Sequence, residues 1–148
     1  MTPETVMLSA QALASGIMCG VIWFVQAVHY PLFAAVPGEQ GAIYANLNRS
    51  RTALVVLPPM ILEAAAATWL VIWPPAGVGR LVAGFGLGMV AVLLLSTLMV
   101  QMPLHMRLGR EGSTPELVGR LVQSNWLRTV FWTARAIIAV WMLAVSRP

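Results

Sequence analysis

Residues 80–104 read R-L-V-A-G-F-G-L-G-M-V-A-V-L-L-L-S-T-L-M-V-Q-M-P-L. After Arg80 no Arg, Lys, Asp or Glu occurs until Arg107. A helix crosses the hydrocarbon core of a bilayer with ~20 apolar residues, so this stretch reads as a membrane span. Three more runs of the same kind lie at roughly 7–35, 53–73 and 123–145. The connector at 74–79 is short, which makes the second and third spans an antiparallel hairpin. The fold expected for residues 1–148 is one all-α, integral membrane four-helix bundle. The opening M-T-P-E-T-V-M has no basic segment, which argues against a cleaved signal peptide and for a permanent first span.

Composition agrees. The chain is 59% apolar and only 9% charged, where a soluble domain carries about 25% charged residues. Every basic residue is Arg and every acidic one Glu. The net charge of +4 does not point to nucleic acid, because the arginines are scattered among apolar runs. They flank spans instead. Arg49, Arg51, Arg107, Arg110 and Arg120 fall in the first and third connectors, and only Arg80 and Arg147 on the other side. By the positive-inside rule those two connectors are cytoplasmic and both termini face outward, as in a bacterial inner membrane. Cys19 stands alone, so no disulfide forms within the chain.

Polar side chains inside the spans carry the functional information, since each is costly in lipid. On the first span Gln26, His29, Tyr30 and Phe33 recur at helical spacing, which predicts one shared face. Gln101 and His105 share a face of the third. Asn125, Arg128, Trp132 and Arg135 form a stripe on the fourth, and Glu63 is isolated on the second. Glu63 and Arg135 each sit ~15 Å from the start of their spans by helix rise. A lone charge at that depth costs several kcal/mol, so the two are expected to pair. Pro31, Pro58, Pro59 and Pro103 all lie in the same half and free backbone carbonyls there. Together these residues predict an intramembrane polar pocket. Gln26, His29 and Tyr30 form one wall, Gln101 and His105 the facing wall. Asn125 and Arg128 close one side, and Glu63 with Arg135 forms the floor.

Such a pocket suits an enzyme acting on a hydrophobic small molecule by oxygenation, isomerisation or cyclisation. His29 would serve as base, Glu63 as acid or charge partner, and Arg128 and Arg135 as anion stabilisers. Gln26, Tyr30, Gln101, His105, Asn125 and Trp132 would bind substrate. One alternative is a site for haem b or a metal ion through His29. Another is a non-enzymatic small transporter or an accessory subunit. Gly16 and Gly20, and Gly84 and Gly88, form two G-x-x-x-G faces through which helices could pack or a homo-oligomer could assemble.

The series Q-x-x-H-Y-P-L-F, P-P-M-x-x-E, Q-x-P-x-H-x-x-L and N-W-x-R-T-x-x-W-x-x-R covers nearly the whole chain. It resembles a group of small, uncharacterised bacterial four-transmembrane-helix proteins. More distantly, the third and fourth spans resemble anthrone-oxygenase-like membrane proteins at Pro103, His105, Asn125 and Arg128. That resemblance implies a cofactor-independent oxygenase of polycyclic phenolic substrates. The chain departs from the pattern in having His105 where Asn is expected and in its Q-A-V-H-Y element.

Overall fold

A computed structural model of the chain describes residues 2–36 and 38–146. Arg147, one of the two arginines assigned to the outer side, lies outside them. Four continuous helical rods account for the fold: α1 (Pro3–Ala35), α2 (Gly38–Ile72), α3 (Arg80–Glu111) and α4 (Pro115–Val145), each long and apolar enough to cross a membrane. No strand occurs among the described residues. In the ring of helices α1 touches α2 and α4, and α3 touches α2 and α4.

The helices are longer than the apolar runs suggest. At 1.5 Å per residue the 35 residues of α2 reach about 52 Å, against a hydrocarbon core of about 30 Å. The segments 36–52 and 105–122, expected as connectors, are mostly helix. Many of their polar residues, such as Glu39, Arg51, Arg107, Arg110 and Arg120, are exposed, while Gly41, Ala45, Leu108, Leu117, Val118 and Leu121 stay buried at helical spacing. The start of α4 is marked by a local signal inside the expected connector. Thr114 accepts from Leu117 N at 3.3 Å and Pro115 opens the first turn. The same Thr-Pro-Glu device starts α1, where Thr2 accepts from Thr5 N at 3.3 Å. A Thr cap satisfies one orphan N–H, and Pro at the first position has no N–H to lose. Gly112 ends α3 at φ 82, a left-handed conformation that favours glycine.

Three apolar layers fill the bundle. Phe33, Leu108 and Leu121 pack at the arginine-rich end. Met18, Ile22, Met60, Leu93 and Trp132 fill the middle. Leu8, Leu70 and Met142 close the end that carries the termini. The two G-x-x-x-G pairs take no part in this packing: a Cβ at Gly16, Gly20, Gly84 or Gly88 would meet nothing within 4 Å. Gly86, which lies between Gly84 and Gly88, does make a close approach, since a Cβ there would stand 3.0 Å from Arg135 Nη1.

Two helices depart from α geometry at matching places. Val25–His29 and Thr97–Gln101 are single π-turns, closed by Tyr30 N–H to Val25 O and Met102 N–H to Thr97 O. Each lies just before a proline, Pro31 and Pro103. Proline cannot donate to the carbonyl one turn back, and the widened turn rearranges the ladder ahead of it.

Candidate functional site

The π-turn in α1 disperses the face that simple helical spacing predicts. Gln26 turns toward α4: its Nε2 donates to Val122 O at 3.2 Å, and its Oε1 accepts from Asn125 Nδ2 at 2.9 Å and Thr129 Oγ1 at 3.3 Å. His29 turns toward α2 and donates from Nε2 to Asn48 Oδ1 at 2.8 Å, with Thr52 donating to the same oxygen at 3.0 Å. Phe24, Phe33 and Tyr44 surround its ring. Tyr30 crosses the bundle and meets His105 Nε2 at 2.9 Å. Gln26, His29 and Tyr30 therefore do not form one wall. An extra residue in the turn shifts the azimuth of everything after it.

What forms is a cavity of about 510 Å³ between α1, α2 and α3, with α4 at its back. Its polar lining includes Tyr30, Asn48, Arg49, Gln101, His105 and Arg128 together with the hydroxyls of Ser50, Thr52 and Thr97, and most of the rest is aliphatic. Of the expected site residues it collects Tyr30, Gln101, His105 and Arg128. Gln26 and Asn125 stand behind it, with Asn125 Oδ1 accepting from Arg128 Nη1 at 3.0 Å. Arg49, counted in the sequence among the arginines that flank spans, belongs to the lining. Asn48 had no signal in the sequence beyond its place one residue ahead of Arg49.

Arg128 is 6% exposed, and no carboxylate lies within salt-bridge distance of it among the described residues. Three lining residues hold buried polar atoms without partners, Gln101 Oε1, His105 Nδ1 and Arg128 Nε; others lie outside the cavity, on Ser113, Trp132, Glu63 and Arg135. Each such atom costs about 1–3 kcal/mol until it is satisfied. The cavity thus combines an uncompensated cation, a Tyr–His pair able to move a proton, and an apolar body.

Glu63 and Arg135 form the second polar constellation. Arg135 Nε lies 3.0 Å from Glu63 Oε1, and Ser15 Oγ donates to the same oxygen at 2.6 Å. The pairing follows the prediction from depth. Its position does not: neither residue lines the cavity, so the pair is not its floor. Met18, Ile22 and Met60, which line the cavity, belong to the same middle layer as Trp132. Trp132 is a core side chain, 1% exposed, and is not in the lining. Ser15 and Gly86 went unnoticed in the sequence because small residues in an apolar run carry no pattern of their own.

Among the described residues no group of three or more His, Cys, Asp or Glu gathers to hold a metal ion. His29 commits its Nε2 to Asn48, so axial ligation there would need that bond to break. No protein-family model, curated protein or solved structure matches the chain.

Proposed function

We propose that the chain is an integral membrane enzyme whose cavity takes a lipid-soluble small molecule bearing an oxygen that is, or becomes, negatively charged. The observation that carries this reading is Arg128: a buried guanidinium without a carboxylate, on an apolar cavity that also presents the hydrogen-bonded Tyr30 and His105. A buried charge is stable only when compensated, and a substrate oxyanion supplies the compensation. Preorganised cations aimed at developing charge are among the strongest catalytic devices in a water-poor site. Tyr30 and His105, hydrogen-bonded to one another, give or take the proton as charge forms on that oxygen. Enolisation, with isomerisation, cyclisation or oxygenation as its outcome, is the reaction class that uses these parts together. Gln101 and Asn48 orient the polar end. The arginine bias supports cytoplasmic placement of this end of the bundle in a bacterial inner membrane.

Access is lateral. Leu57 and Leu98, both in the cavity lining, are 50% and 63% exposed on the bundle's outer surface, so a substrate dissolved in the bilayer reaches the cavity without crossing water.

The test is to purify the protein in mild detergent, extract it and identify co-purified hydrophobic compounds by mass spectrometry. The same sample is then held in deuterium oxide. Retention of an acidic or enolisable ligand by the wild type, lost in Arg128→Gln, is expected. Carbon-bound deuterium should appear in it with the wild type and not with Tyr30→Phe or His105→Ala. A ligand retained without exchange or conversion would make the protein a carrier or binding subunit. A Soret band in the purified protein that disappears in His29→Ala would replace this reading with the haem one.

A further inference from the structure

The cavity does not end at Met60. A second depression, a groove of about 620 Å³, runs along the outer flank of α2. Leu57, Met60 and Leu94 line both cavity and groove, so the two adjoin. The groove has a floor of small side chains, Ala64, Ala65 and Thr68, and a wall at its far end formed by Trp69 and Trp73. The indole rings of that wall stand 5.4 Å apart. From Leu57 to Trp73 the helix rises about 24 Å, more than the ~15 Å of one leaflet's hydrocarbon. A largely apolar chamber with cations at one end therefore adjoins a long apolar track.

We infer that the ligand is a single-chain anionic amphiphile, with its head at Arg128 and Arg49 and its extended tail in the α2 groove. This rests on the reading of the cavity given above and narrows its substrate class. A compact polycyclic phenol fills the cavity and leaves the track unused, whereas a linear tail occupies both. The small side chains on the floor admit the tail beside the helix backbone, and the tail keeps its other side in lipid. Each methylene lying on protein adds contact without requiring the bundle to open.

Binding of octanoate and stearate to the full chain in nanodiscs of one fixed lipid composition tests this. Each variant is compared with the wild type at each chain length, which cancels partition into the lipid. Ala65→Phe and Thr68→Phe fill the groove from exposed positions. Both should weaken stearate by about tenfold or more, equivalent to ~1.4 kcal/mol, and leave octanoate unchanged. Unaltered octanoate binding also reports that the variants are folded. Arg128→Gln should weaken both probes. Stearate binding that survives both groove variants, with Arg128→Gln still weakening both probes, overturns the tail assignment and spares the head site. Insensitivity of both probes to Arg128→Gln overturns the head site itself. Wild-type protein that holds stearate no tighter than octanoate overturns the inference as well.

Discussion

Two arginines of α4, Arg128 and Arg135, are two turns apart and almost equally buried, yet their surroundings differ. Arg135 is closed over by Glu63, Ser15 and Gly86 in a packed layer. Arg128 has the neutral oxygen of Asn125, the Tyr30 hydroxyl nearby and a cavity. Both contacts reach across the bundle: Glu63 and Arg135 join α2 to α4, while Tyr30 and His105 join α1 to α3. The first diagonal balances its charges within the chain, whereas the second is a neutral pair beside Arg128, whose charge no carboxylate among the described residues balances. A paired buried charge fixes helix register, whereas an unpaired one beside a cavity is the arrangement that a functional site tolerates and a structural one does not.

The largest effect that can break this contrast is on stability. Arg135→Met and Glu63→Gln should each cost about 3–5 kcal/mol, because each strands a buried partner. The double variant should recover part of that loss, and strictly additive effects in denaturant unfolding would mean the two groups do not interact. Arg128→Met should leave the ligand-free protein within about 1 kcal/mol of wild type or more stable, since it removes an uncompensated charge. If Arg128→Met unfolds as easily as Arg135→Met, the two arginines are equivalent and the argument for a ligand anion fails.

Gly86→Ala sharpens the closed side. Its Cβ meets Arg135 Nη1 at 3.0 Å, and displacing the guanidinium should cost about 1–3 kcal/mol. Gly84→Ala and Gly88→Ala, which meet nothing within 4 Å, should instead be neutral or stabilise the helix by about 0.5–1 kcal/mol. Thermal unfolding of the three variants side by side separates the close-approach glycine from its neighbours. Tyr30→Phe sharpens the open side. It removes one hydrogen bond to His105, about 1 kcal/mol in stability, and should abolish deuterium exchange into the ligand. The smallest effect is at Thr114→Ala, about 1 kcal/mol or less from a lost helix cap. It should leave ligand retention unchanged, because the cap bonds only to Leu117 N and takes no part in the cavity lining.

The candidate site was half legible. Gln101, His105 and Arg128 declared themselves as polar groups that lipid would not tolerate without a purpose, and they do share a cavity. Gln26 and His29 declared themselves equally and turned elsewhere. Their directions depend on a π-turn ahead of Pro31, and a 3.6-residue wheel has no place for it. Arg49 was hidden because a basic residue near a span end has an ordinary explanation at the lipid surface, and the helix it sits on was longer than its apolar stretch.

Four helices long and apolar enough to cross a membrane, the absence of strands among the described residues and a charge pair at matched depth followed from the sequence alone. Each depends only on the cost of exposing backbone or charge to hydrocarbon, and that cost is a property of residue type and position along the chain. Which polar groups face one another was decided only by the tertiary structure. Azimuth is set by the two π-turns and by the neighbours across each diagonal, and those separate the compensated Arg135 from the uncompensated Arg128.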